Sequence, residues 1–228
     1  MRTLIYVPII HSKADMGSMG EELNSRRVSL DGEDKWQKHD DTVNGYWDSI
    51  ESYFENIDIA IRGIKIYQDG MFVDGEMALK IIDEGIKSGS KNSAIVSKLL
   101  GRGAILIKTE DFKMVKAEYD GLHSVLKAKT TVKKLFLLFR YKILKPLLLA
   151  RRDKFIAGRI AETLGQTETG ILFIGAFHNV IKRLPNDIAV IELKEIAQIR
   201  KYQNAIQSLV KIETRQIEKL AEYLTKNC

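Results

Sequence analysis

Two continuous apolar runs, Ile5-Tyr6-Val7-Pro8-Ile9-Ile10 and Ile171-Leu172-Phe173-Ile174, constrain the fold more than any other feature of this chain. Both are rich in β-branched residues and read as buried strands. Each is followed closely by a histidine, His11 and His178, in a chain that has only four. In α/β proteins the carboxyl ends of parallel strands form the rim where ligands sit, so the two histidines are expected to share a site built from both ends of the sequence.

Between these runs, strands and helices alternate. Further strands are predicted at Ile64 to Tyr67, Ala104 to Ile107 and Ile188 to Leu193. Residues 11–40 are polar and read as a long loop, followed by a helix over Asp41 to Ile57 with Val43, Trp47, Ile50 and Phe54 on one face. Helices are also predicted at Glu76 to Ile86, at Ser93 to Leu100, and from a cap at Asp111 through Leu126. Pro146 should divide the next region into helices over Val132 to Leu144 and Leu147 to Leu164. A long helix from about Glu195 to Tyr223 closes the chain. Its stripe of Ile196, Ile199, Gln203, Ile206, Val210, Glu213, Ile217, Leu220 and Leu224 fits either a helix lying on its own core or a homodimer seam. The order implies one α/β domain over residues 1–228, with a mainly parallel central sheet flanked by helices and a helical insertion around 110–165.

Composition narrows the chemistry. The only cysteine is Cys228, which removes intramolecular disulfides and cysteine-rich zinc sites. Without a secretory signal pattern or an uninterrupted apolar stretch of bilayer length, the chain is expected to be cytoplasmic. The net charge of +6 is uneven. Leu126 to Arg159 holds eleven Lys or Arg and one acid, Asp153, a local +10 that leaves −4 for the rest. Such a segment suits a solvated helical face, or alternatively nucleic acid or an anionic membrane surface.

Two imidazoles and a carboxylate are the donor types of a zinc, manganese or iron site, and such a metal would activate water. Asp69, after the second strand, is the natural third ligand, with Glu22, Glu21 and Asp15 as competitors. Arg152 offers a fork for a carboxylate or phosphate, and Asp153 a helix-start acceptor. His39 and His123 read as surface residues. No phosphate loop, dinucleotide fingerprint or nucleophile elbow is present.

The Arg152-Asp153-x-x-Ile156-Ala157 helix, followed by a strand ending Gly175-Ala176-Phe177-His178, resembles the TraB/Tiki and erythromycin-esterase/ChaN-like superfamily. The strand over Ile188 to Leu193 fits the same layout, and Pro8-Ile9-Ile10-His11 stands where members carry a G-x-x-H. Pro8 and Asp69 (members usually have Glu) depart from the pattern. The resemblance implies an α/β domain with a histidine-and-carboxylate cleft. The family spans metal-dependent proteases, a lactone-opening esterase and haem-binding lipoproteins, so it implies no single function; the first reading of the cleft is a metal- or histidine-assisted hydrolase of an ester or amide bond in a small-molecule or peptide substrate. In that reading His11 and His178 bind a divalent metal or act as base, Asp69 or Glu22 is their carboxylate partner, Arg152 holds negative charge and Asp153 orients a histidine. A non-enzymatic ligand-binding or signalling module that retains the cleft is the alternative, and binding to nucleic acid or membrane through 126–159 is a third.

Overall fold

The computed structural model describes residues 1–12, 14–15, 20–21, 25, 28–29, 32–207 and 214–228. Five strands are described: β1 (Arg2–Ile9), β2 (Lys65–Gln68), β3 (Ile105–Ile107), β4 (Thr169–Gly175) and β5 (Ile188–Glu192). They form one parallel sheet in the order β3-β2-β4-β1-β5. The two apolar runs are thus neighbours at its centre, with Tyr6 beside Leu172 and Ile9 beside Gly175. Parallel pairing explains their continuous apolar character, because helices cover both faces of such a sheet. The described residues make an α/β fold.

Pro8 sits in a central strand, where a missing N–H would normally break a ladder. It is tolerated because pairing with β5 ends earlier, at Tyr6 and Glu192, while β4 continues to Gly175.

The helices are α1 (Glu33–Asn56), α2 (Gly75–Lys87), α3 (Lys91–Gly101), α4 (Phe112–Leu126), α5 (Thr131–Thr163), α6 (Ile196–Gln207) and α7 (Thr214–Thr225). Asp111 caps α4 as expected, accepting from the amides of Lys113 and Met114. Helix α1 buries Val43, Tyr46, Trp47, Ile50 and Phe54. It begins eight residues before the predicted start, inside the stretch read as loop. His39 lies in that added turn and is buried, with Nδ1 2.9 Å from the Tyr202 hydroxyl. Its partner comes from α6, 163 residues away, which is why local sequence made it look like a surface residue. His123 is half-buried against the Tyr119 ring.

Pro146 does not divide α5, which runs unbroken through it. Proline removes one helical hydrogen bond, to the carbonyl four residues back. Here Lys142 and Pro146 are both exposed, so water can serve that carbonyl. The predicted closing helix is likewise corrected. A continuous helix would put residues 195 and 223 about 42 Å apart, yet the Glu195 amide donates to the Tyr223 hydroxyl at 2.9 Å. The chain therefore reverses between α6 and α7. Ile196, Ile199, Ile206 and Leu224 of the predicted stripe are buried in the chain's own core. Val210 and Glu213 lie outside the described residues.

Candidate active site

The carboxyl ends of β1, β4 and β2 lie side by side, and each delivers a side chain to one place. At β1, the Tyr46 hydroxyl donates to the Pro8 carbonyl and the Trp47 indole donates to the Ile10 carbonyl at 3.1 Å. These bonds from α1 fasten the strand end that presents His11, which is exposed. At β4, Gly175 opens a turn closed by the His178 amide donating to the Gly175 carbonyl at 3.0 Å. Arg200 of α6 braces this turn, donating to the carbonyls of Ala176 at 2.6 Å and His178 at 2.9 Å. At β2, the Asp69 amide donates to the Phe173 carbonyl at 2.8 Å.

Gly175 is the point of convergence. A Cβ at that position would stand 3.2 Å from Asp69 Oδ2, 3.6 Å from His178 Cδ2 and 4.0 Å from His11 Nε2. Its missing side chain is what lets the three groups meet. The Gly175 amide also donates to Asp69 Oδ2 at 2.9 Å.

His178 is 6% exposed, with Nδ1 2.6 Å from Asp153 Oδ1. A carboxylate can only accept, so Nδ1 carries the hydrogen and Nε2 faces the site. Asp153 Oδ2 accepts from the Asn179 amide at 3.0 Å, which fixes the carboxylate in turn. His178 Nε2 lies 3.8 Å from Asp69 Oδ2. Burial works against an imidazolium, but the Asp153 hydrogen bond and the Asp69 charge outweigh it and raise the His178 pKa above the ordinary histidine value.

Arg152, one residue before Asp153 on α5, is also buried. Its Nε and one terminal nitrogen bind both oxygens of Glu110, at 2.6 and 2.5 Å. The guanidinium further donates to Asp69 Oδ1 at 2.7 Å and to Glu118. Four of its five N–H donors are thereby engaged by carboxylates. The arginine therefore serves as the hub of a carboxylate cluster and positions Asp69. Asp69 is half-buried, and its desolvation opposes its charge, but His178, Arg152 and His11 together hold its carboxyl well below the usual range. Glu110 goes the other way. Its complete burial raises it against the pull of Arg152, and the neighbouring Asp69 charge adds to the rise. Glu110 therefore holds a proton more readily than Asp69.

Of the residues singled out from sequence, His11, His178, Asp69, Asp153 and Arg152 are brought together. Glu22 lies outside the described residues. Asp15 accepts from the Ser12 amide at 2.7 Å and the Ser90 hydroxyl at 2.5 Å, joining residue 15 to the start of α3. Sequence reasoning missed Glu110, Glu118 and Arg200. The rule that found Asp69 could have found Glu110, which follows β3 by three residues. Glu118 and Arg200 sit mid-helix with no local signal. The Tyr6 hydroxyl is a further polar group here. It is buried without a hydrogen-bond partner among the described residues, within the electrostatic reach of Arg200, Asp69 and Asp153.

Asp69, the carboxylate expected to join the two histidines on a metal, already has partners. Both Asp69 oxygens are already engaged, one by Arg152 and one by the Gly175 amide. Among the described residues no group of three or more His, Cys, Asp or Glu is placed to hold a metal ion. A groove of about 440 Å³, lined by Met114, Phe155 and Gly158 with Arg151 and Lys154, lies along α4 and α5. Comparison with protein-family models, with curated proteins and with solved structures finds no match.

Proposed function

We propose that the chain is a hydrolase of an ester or amide bond that works by histidine acid–base chemistry at the ends of β1, β2 and β4. The observation that carries this reading is the line Asp153–His178–Asp69. A buried imidazole is oriented through Nδ1 and biased toward its protonated form, with Nε2 turned toward the place where the exposed His11 arrives. A pair of titratable groups in such different surroundings divides naturally into acid and base.

In this mechanism His11 accepts a proton from water as the water oxygen attacks the substrate carbonyl carbon. The imidazolium of His178 first stabilises the developing oxyanion. It then gives its Nε2 proton to the leaving oxygen or nitrogen as the carbonyl–heteroatom bond breaks. His11 then releases its proton to solvent and His178 takes one up from solvent, so the cycle balances. Asp153 and Arg152 are positioning residues, acting through His178 and Asp69. No step is routed through a metal. Residues 150–193 resemble the TraB/Tiki and erythromycin-esterase/ChaN-like superfamily, whose members include proteases and an esterase, and this reaction class is one of those the resemblance allows.

The test is turnover on a panel of activated esters and peptide amides by wild type, His11→Gln, His178→Gln and Asp153→Asn, with elemental analysis of the same preparations. Wild-type turnover should fall by roughly 10²–10⁴ in each histidine variant. Stoichiometric metal lost from both histidine variants would replace this mechanism with a metal-assisted one.

One observation favours a second reading. The charges at the site largely satisfy one another, as the Arg152 cluster shows. A ligand-binding module needs no more than that. Wild type that turns over nothing on the panel, yet gains thermal stability with a carbonyl compound, would establish this alternative.

A further inference from the structure

Helix α5 projects an apolar face that none of the described residues covers. Val132, Leu135, Phe136, Phe139, Ile143 and Leu147 recur at three- and four-residue spacing and so share one side. All are more than half exposed, from 53% at Ile143 to 79% at Val132. The opposite side packs on α4. There Gly121 lets the helices approach closely, since a Cβ on it would meet the Tyr141 ring at 3.1 Å. Val125 and Leu126, at the end of α4, are buried. The apolar side is thus the outward face of a helix already held by its other side.

Cations flank this stripe. Lys133, Arg140, Lys142 and Lys145 are exposed, and none forms an ion pair among the described residues. The Lys145 ammonium lies over the Tyr141 ring, 5.7 Å from its centroid. Between Leu126 and Arg159 the only acid is Asp153, and it is buried against His178.

We propose that this face of α5 docks on an anionic lipid bilayer, with its apolar side chains in the headgroup–acyl boundary and its Lys and Arg among the phosphates. A helix with an apolar face and a basic flank lies in the plane of such a surface. Among the described residues no helix is long and apolar enough to cross a membrane, so the contact is peripheral. Charge decides between possible occupants. A second copy meeting face to face would oppose two strongly basic segments. Nucleic acid would satisfy the cations but leave the phenylalanines and leucines facing a phosphate backbone. Of the three, the bilayer alone satisfies both.

The test is co-sedimentation of the full chain with phosphatidylcholine vesicles, with and without phosphatidylglycerol. Binding should be on the order of a hundredfold tighter to the anionic vesicles. It should fall by about tenfold or more in the Phe136→Ser/Phe139→Ser double variant. Both rings are exposed, so that variant should keep its circular dichroism spectrum. If it misfolds, quenching by brominated acyl chains of the indole introduced by Phe136→Trp, with wild type as baseline, gives the answer without a disruptive change. Quenching supports the proposal, and its absence overturns it. So does failure to bind anionic vesicles, or binding indifferent to the phenylalanines. DNA binding without vesicle binding, or a dimer that the double variant dissociates, overturns it in favour of nucleic acid or self-association.

Discussion

Replacing Arg152 by Met preserves side-chain length but removes the charge between Glu110, Asp69 and Glu118, stranding buried carboxylates. Breaking a buried ion pair from one side costs about 3–5 kcal/mol, and urea unfolding of Arg152→Met at neutral pH should show a loss of that size. Protonation of the stranded carboxyls relieves the penalty, so the gap to wild type should narrow as the medium is acidified. A variant as stable as wild type would mean the cluster holds little of the fold together. Asp153→Asn acts on the same network from the other side. His178 loses its charged partner, so its pKa, raised in wild type, should drop. Imidazole proton shifts followed by NMR titration read this directly, and an unmoved pKa would remove Asp153 from its assigned role. At Gly175 a methyl group would press on Asp69 Oδ2, which must yield by a few tenths of an ångström. Gly175→Ala should therefore depress any turnover by more than it depresses stability.

Helix α5 shows how an element can override a local rule. Pro146 disfavours a helix interior by about 3 kcal/mol relative to Ala, yet the helix continues because the bond it forfeits faces water. Pro146→Ala should raise stability by about 1–3 kcal/mol, read as an increase in thermal midpoint. An unchanged or lowered midpoint would mean that the proline's geometry is used by the packing on α4. The C-terminal helices teach the complementary lesson. Their apolar spacing was legible, but the same period continues through a reversal of the chain, and spacing alone carries no direction. What reveals the reversal is a contact, Glu195 with Tyr223, between residues that a straight helix would hold far apart. The start of α1 was hidden for a similar reason, since its first two turns are polar and His39 finds its buried partner only on α6.

At the scale of the molecule, the site couples folding to pH. His178 is raised above its ordinary value of 6.5, so its stabilisation is full below that value and is lost as pH climbs through the native pKa. Asp69 is lowered from 3.8, so its share is present above that value and is lost as pH falls through the depressed native pKa. Glu110, raised from 4.5, favours folding most when protonated and subtracts as pH rises through its native pKa. Together these groups place the greatest stability above 3.8, where the share of Asp69 is full, and below 4.5, where that of Glu110 begins to fall. Thermal midpoints measured across pH should peak there, and Asp153→Asn should flatten the alkaline limb. Such a profile belongs to the assembled site, and its parts were unequally visible beforehand. By itself the sequence determined the parallel α/β architecture, because continuous β-branched runs alternating with amphipathic helices have few other ways to bury their faces. It also marked His11, His178 and Asp69, because in a parallel sheet every strand's carboxyl end faces the same way. Only the tertiary structure decided what those residues mean to one another. The protonation bias of His178, the engagement of Arg152 by Glu110 and Glu118, and the bracing of the turn by Arg200 all arise between residues distant in sequence. Electrostatic energy depends on separation and burial in space, and neither is written in the spacing of residues along the chain.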